Sequence, residues 1–404
     1  MSFEVVEIGR ERSEAYVRAS RSWWGEQYEE GDAGVHEVLD RMLMARLDGD
    51  DCGTAATIDF TLAMPGGTSL RMDGVTWVVV SPAARRRGVL TAMMADMLEH
   101  ARARGIPLLG LGASESLIYR RFGYGPASQI ATASIDTAHA ALREVPPDAG
   151  HVRLLPLDEA VPVWMDVESR QPGRVAMLTR SEASWRRLRE SGARARDGRS
   201  ATQVGVHVAP DGDVDGFVNY QLEHRWPDEV SDGTVHITKL GALNLDAHVA
   251  LWRHVLEQDL MEHLRFDRYW LDDPVGNLLR DARRLRVVPR DDLHLRVADV
   301  VAVLTGRRYS REDSLVLEVR DPAAPDVAGR YRLEGGLDGA MAERTDASPD
   351  LFLDAPALAS VVLGDTSVAA LHAAGLVEER TPGAVRRAAA MFTWSPRPWL
   401  SHMF

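Results

Sequence analysis

Leu90, Met93, Met94, Met97, Leu98 and Ala101 fall at i, i+3, i+4, i+7, i+8 and i+11, the stripe of a helix that packs one face onto a sheet. Strands frame it. Trp77-Val78-Val79-Val80 precedes it as a continuous apolar run, the pattern of a strand covered on both faces, and Ile106 to Leu111 follows. Pro82 ends the first run. Thr54 to Met64 and Ser69 to Ser81 read as strands joined by the Pro65-Gly66-Gly67 turn, which makes them a hairpin. Upstream, Phe3 to Ile8 alternates as a short strand and Glu11 to Trp24 reads as a helix. A second helix is expected over Gly34 to Met44, from the spacing of Val35, Val38, Leu39, Met42 and Leu43.

After a strand expected over 128–137, Glu144 to Gly150 reads as a linker. A second unit follows, with strands at His151–Leu155, Gln203–Val208, Gly216–Leu222, Val235–Leu240 and Arg268–Leu271. Its helices are expected over Ser181 to Ser191 and around Val249, Leu251, Trp252, Val255, Leu256 and Leu260, the latter capped by Asn244 or Asp246. A third unit begins past Arg290, with strands at Leu293–Val297, Leu315–Val319 and Gly329–Leu333. Helices are expected there over Asp299–Leu304, Ala355–Ala374 and Pro382–Met391. The expected class is α+β, divided as 1–145, 146–290 and 291–404. The tail from Thr393 to Phe404 is aromatic and stiffened by proline, a composition suited to docking rather than to a loose end.

Composition narrows the chemistry. The 404 residues are 45% hydrophobic, which excludes a disordered polymer, and a formal charge of −13 disfavours nucleic acid and suits a cationic ligand. Lys239 is the only lysine and follows Thr238, so no P-loop is present. Cys52 is the only cysteine, which rules out an intrachain disulfide and a thiolate zinc cluster and points to a reducing compartment. The segment MSFEVVEIGRERSE lacks a signal-peptide core, and no run of about 18 apolar residues marks a membrane span, so a cytoplasmic protein without a membrane partner is expected. His224, His236, His248, His254 and His263 form no HExxH or His-x-x-x-His pair, so no metal is expected.

The candidate chemistry sits around the striped helix. Its entrance reads Arg85-Arg86-Arg87-Gly88-Val89-Leu90. A glycine there lets backbone N–H groups approach a ligand, and the helix dipole with three arginines favours an anion. Near the N-terminus, Trp23, Trp24, Glu26, Tyr28, Glu29 and Glu30 set aromatics beside carboxylates. That mixture either receives an amine-bearing ligand or is a packed Trp pair with solvated glutamates.

Strand, basic turn, helix, strand and the Tyr-bearing segment Tyr119-Arg120-Arg121-Phe122-Gly123 together resemble the acyl-CoA-binding core of the Gcn5-related N-acetyltransferases. The superfamily pattern Gln/Arg-x-x-Gly-x-Gly/Ala is matched except at Leu90, where a small residue is usual. SPAARRRGVL, ASESLIYRRFGYGPA and a terminal Phe resemble the Eis (enhanced intracellular survival) acetyltransferases along the whole chain. The resemblance implies tandem acetyltransferase-like domains with mixed sheets, the second lacking a cofactor motif, and a C-terminal sterol-carrier-like domain that either binds an apolar ligand or is a reused scaffold. It implies acetyl-CoA as cosubstrate, held by Val78, Val79, Val80, Arg85, Arg86, Arg87, Gly88, Val89, Leu90 and Ser114. It makes Tyr119 the general acid, ahead of Tyr124, and the Phe404 α-carboxylate the general base. Trp23, Glu26 and Trp77 are the substrate-pocket candidates for a cationic, amine-bearing molecule such as an aminoglycoside. A homohexamer is the assembly it implies. A protein-lysine acetyltransferase and a non-catalytic lipid carrier are the alternatives.

Overall fold

The computed structural model describes residues 3–143, 150–171, 173–193 and 198–404, so most of the expected linker, 144–149, lies outside the described residues. The chain forms two compact units: Met1–Gln129 with Arg174–Thr179 and Asp291–Phe404, and Ile130–Gly173 with Arg180–Arg290.

The first unit opens with β1 (Phe3–Ile8), α1 (Ser13–Trp24), β2 (Arg41–Leu47), β3 (Asp50–Ala63) and β4 (Ser69–Val80). Then come α2 (Val89–Ala103), β5 (Leu108–Gly112), α3 (Ser116–Arg120) and the two-residue β6 (Gly125–Pro126). The helix expected over Gly34 to Met44 is absent. Glu30–Glu37 winds as a 3-10 turn, and the chain is extended from Arg41. Met42, Leu43, Met44 and Ala45 are all buried, so β2 is covered on both faces and carries no alternation that would separate it from a helix.

The second unit contains β7 (Gln129–Asp136), β8 (His151–Leu155), α4 (Ala160–Arg170), α5 (Glu182–Gly192), β9 (Gln203–Val208) and β10 (Val214–Glu223). It continues through β11 (Gly233–Ala242), α6 (Leu245–Leu256), β12 (Met261–Tyr269), α7 (Val275–Leu278) and β13 (Arg286–Asp291). Its strands lie in the order β13-β7-β12-β11-β10-β9-β8. The strand expected over Arg268–Leu271 is instead the end of β12, which begins at Met261. Trp164 packs against Trp185 and Phe217 in its core.

The chain then returns to the first unit with β14 (Leu293–Val297), α8 (Val300–Thr305), β15 (Asp313–Arg320), β16 (Gly329–Gly336), β17 (Gly339–Arg344) and β18 (Leu351–Asp354). α9 (Ala355–Val361), α10 (Val368–Ala373), β19 (Val377–Glu379) and α11 (Ala384–Phe392) complete it. The single helix expected over Ala355–Ala374 is two. The chain turns at Gly364, φ 84°, where an added Cβ would lie 2.7 Å from Trp394.

β14 enters the first sheet, which runs β1-β2-β3-β4-β5-β14-β6, while β15 to β19 form a five-stranded sheet β17-β16-β15-β18-β19. One core joins the two sheets: Phe60, Met72, Leu108 and Leu295 pack into the same cluster as Leu317, Leu358 and Met391. On the opposite face of the first sheet, Met93, Met94 and Met97 of α2 cover Val75, Leu109 and Leu111.

Candidate active site

β4 pairs in parallel with β5 at only three positions, Met72 with Leu108, Asp73 with Leu109 and Gly74 with Gly110. Beyond Gly74 it runs on to Val80 with β3 alone at its side, because β5 stays paired with β14 as far as Gly112. The two strands therefore part, and the edge of β4 facing β5 is left with backbone groups unused by the sheet. A bulge lies on this stretch: Thr54 faces Val79 and Ala56 faces Thr76, so Trp77 and Val78 stand opposite a single residue, with Trp77 at φ 53°.

A cleft of about 680 Å³ opens there, walled by Val78, Val79 and Val80 on β4 and by Arg85, Arg86, Gly88, Val89 and Leu90 at the entrance to α2. Ser114, Glu115, Ile118, Tyr119 and Arg121 form another wall, and Trp23 and Trp24 a third. Gly88 takes φ 89° as the residue before α2, and Arg86 is also left-handed at φ 61°. No side chain caps the first turn of α2 and no acidic residue lies in it, so its N–H groups and dipole face the cleft uncompensated. Among the described residues neither Arg85 nor Arg86 has a carboxylate partner. The arrangement has the chemistry to receive a polyanion, with an apolar strand edge leading out of it.

Tyr119, on α3, is 7% exposed and stands on the cleft wall with its ring 6.0 Å from that of Tyr124. Burial, reinforced by the charge of Glu115, raises the pKa of its phenol, so it keeps its proton at neutral pH. Tyr124 is more deeply buried and does not line the cleft, and burial raises its pKa further. Gly123, φ 86°, makes the turn between them and lies against the guanidinium of Arg296, 2.7 Å from where a Cβ would stand.

The terminal residues reach the point where β4 and β5 part. The Phe404 ring packs on Phe60, 4.9 Å between centroids, and an added Cβ on Gly74 would lie 2.8 Å from it. Met403 fills the space that a side chain at Gly112 would need. Behind them Trp399 and Leu400 are buried, and the Trp399 N–H donates to the Val175 carbonyl at 2.9 Å. The tail is docked.

Of the candidate residues, the cleft gathers Trp23, Val78, Val79, Val80, Arg85, Arg86, Gly88, Val89, Leu90, Ser114 and Tyr119. Arg87, Glu26, Trp77 and Phe404 are not on its wall. Glu26 is exposed and paired with Arg21, and the Trp77 ring lies over α1, 6.3 Å from Tyr16 and 5.8 Å from the Arg21 guanidinium. Glu115, Ile118 and Arg121 are wall residues that the sequence does not single out, whereas Trp24 belongs to the aromatic group beside the glutamates that the sequence does single out. Glu115 stands four residues before Tyr119 at the entrance to α3, so a helix through that tyrosine is the signal available for it, and no such spacing marks Ile118.

Models of the acetyltransferase (GNAT) domain match residues 7–127 and 176–297, and that of the sterol carrier protein domain matches 300–401. The chain is 32% identical over 349 residues to the N-acetyltransferase Eis of Mycobacterium bovis, covering 84% of this chain and 82% of that one. It belongs to the Eis family of GNAT acetyltransferases. An uncharacterized N-acetyltransferase of Streptomyces avermitilis is 40% identical over 363 residues, 88% of each chain. Eis1 from Mycobacterium abscessus superposes over the full length of both chains with a TM-score of 0.87 at 30% identity. The protein is thus an acetyl-transferring enzyme with tandem GNAT domains and a sterol-carrier-type third domain.

The second GNAT domain differs from the first where the Eis-family cofactor turn would stand. Its helix α6 is capped by the Asn244 side chain, which accepts from the Ala247 N–H at 2.8 Å, and carries Asp246 in its first turn. The cap occupies one of the N–H donors an anion would need, and the Asp246 carboxylate repels an anion. Its histidines are held locally: His236 by Glu223, His248 by Asp273 and His263 by Asp232. Among the described residues no group of three or more His, Cys, Asp or Glu is placed to hold a metal ion. None of the described helices is long and apolar enough to cross a membrane.

Proposed function

We propose that this enzyme transfers acetyl from acetyl-CoA to amino groups of polycationic small molecules, aminoglycosides among them. The uncapped entrance to α2, flanked by two arginines without carboxylate partners and sharing one cleft with Tyr119, carries this reading. The acyl thioester supplies the activated carbonyl when bound. Gly88, Val89 and Leu90 present the N–H groups that take the pyrophosphate, with Arg85, Arg86 and Arg87 adding charge and Ser114 a further hydroxyl. The free edge at Val78, Val79 and Val80 receives the pantetheine amides, and the parting of β4 from β5 gives that arm its path.

Tyr119 donates its proton to the departing thiolate, and its raised pKa keeps it protonated until that step. The base is the α-carboxylate of Phe404, a group of a type ordinarily ionised at neutral pH. It takes one proton from the substrate ammonium, directly or through water, to free the amine. After the amine has attacked, the nitrogen sheds its second proton as the carbon–sulfur bond breaks, which replaces the proton Tyr119 gives to the sulfur. Trp23 supplies an aromatic wall for the acceptor and Trp77 lies beside it in this reading. Glu26 takes part when a substrate ammonium replaces the Arg21 guanidinium that now pairs with it. The formal charge of −13 draws such polycations in. By family resemblance the protein is a cytoplasmic homohexamer.

Thiol release from acetyl-CoA against an aminoglycoside panel tests the substrate class. Turnover on several members is expected. Measurable CoA binding with turnover on lysine peptides alone, or on nothing, overturns it.

A further inference from the structure

A chain of three polar groups, the first two fully buried, runs from α1 to the bulge of β4. Ser20 Oγ donates to Thr54 Oγ1 at 2.8 Å, and Thr54 Oγ1 donates to the carbonyl of Trp77 at 3.0 Å. Ser20 and Thr54 are both fully buried. Tyr16, also fully buried, sets its phenol beside Thr54; burial raises its pKa while the Thr54 hydroxyl opposes that rise. Apolar side chains would fill this layer between α1 and β3 at lower desolvation cost, so the hydroxyls call for a reason beyond packing.

The reason lies in what the Trp77 carbonyl is made to do. Trp77 is a large non-glycine residue held at φ 53°, a conformation L-residues adopt only when the surroundings impose it. Tyr16 and Arg21 hold its ring over α1, and Thr54 holds its carbonyl toward β3. The peptide joining it to Val78 is trans. In a trans peptide the N–H points opposite to the C=O. The Val78 N–H is therefore turned away from the Thr54 hydroxyl, and Val78 itself lines the cleft on the stretch of β4 that β5 has left. A lone N–H fixed in that direction is suited to an acyl oxygen that gains charge as an amine attacks its carbon.

We propose that Thr54, seated by Ser20, is a positioning residue for acetyl transfer: it locks the Trp77 bulge and so aims the Val78 N–H into the cleft. The inference rests on the acetyl-transfer reading above for its kinetic consequence, but its structural consequence stands apart from any substrate.

Thr54→Val keeps the shape and removes the donor, and Thr54→Ser keeps the donor. Thr54→Val is expected to lower kcat for aminoglycoside acetylation about tenfold with the KM for acetyl-CoA unchanged. Thr54→Ser is expected to hold kcat within about twofold of wild type, and Ser20→Ala to fall between the two. In a crystal structure of Thr54→Val, Trp77 is expected to leave the left-handed region. Wild-type kcat in Thr54→Val, equal losses in the Val and Ser variants, or a rise in KM alone overturns the proposal. So does an unmoved Trp77, whatever the kinetics. Absence of turnover in the wild type would count against the proposed function instead, leaving the Trp77 conformation to decide the positioning role.

Discussion

The ring of Phe404 lies against Gly74, the last residue of β4 that pairs with β5, and packs on Phe60 at 4.9 Å. The final residue of the chain is thereby anchored where the two central strands separate. Gly74→Ala tests that anchorage. The new methyl would meet both rings, Phe404 at 2.8 Å, and displace the terminus from its seat. A loss in kcat of about ten- to hundredfold is expected, with the Kd for CoA unchanged, since small misplacements of a reacting group are expensive. Steady-state kinetics beside calorimetric CoA titration checks it.

Tyr119→Phe removes one oxygen from a largely buried ring, so the fold should tolerate it. A drop in kcat of about 10²-fold is expected, with CoA affinity retained. The alkaline limb of the wild-type pH profile is expected to lie above the usual tyrosine value, because burial and Glu115 raise this phenol. An alkaline limb that persists unchanged in Tyr119→Phe would assign it to another group.

Arg85→Ala with Arg86→Ala is expected to raise the KM for acetyl-CoA roughly tenfold while kcat stays within about twofold, the mark of a contact made equally in ground and transition states. Both side chains are exposed, so the wild-type KM should itself rise with salt. The double variant should lose most of that dependence.

Asp73 and Asp59 face each other across β3 and β4, and their environments drive them apart. Burial, then the Asp59 charge, pushes the Asp73 carboxyl up to about 7, while a hydrogen bond from Arg104 holds Asp59 below its usual range. Asp73 keeps its proton in the folded state over a window, from 3.8 to about 7, where the unfolded chain has released it. Folding stability contributed by Asp73 therefore falls as pH rises through that window. Asp59 acts in the opposite sense, contributing above 3.8 and losing that contribution as pH falls through its folded value. Asp73→Asn is expected to stabilise the protein at pH 8 by about 1 kcal/mol, roughly 2–4 °C in Tm, and by much less at pH 5. Thermal melts at the two pH values check it.

What the sequence revealed depended on how local the cause was. The α2 stripe and Gly88 were legible because a helix and its entrance are set by neighbouring residues, and Tyr119 followed from its place beside Phe122-Gly123. Leu293–Val297 read correctly as a strand, yet nothing in its residues says that it pairs with β5, more than 180 positions earlier. β2 reads as helix because burial on both faces erases its alternation, and the break at Gly364 is hidden inside an Ala-rich apolar run. The seat of Phe404 at Gly74 spans 330 positions, and the Ser20–Thr54–Trp77 chain joins three elements. Such contacts leave no periodic trace.

In the proposed enzyme a cofactor cleft in the first domain works with the carboxylate of Phe404. The most direct test of this is turnover with and without a short C-terminal extension, which moves that carboxylate while leaving every cleft residue intact. A loss of aminoglycoside acetylation of about 10²-fold or more, with an unchanged Kd for CoA, is expected. Equal turnover in the two proteins would contradict it.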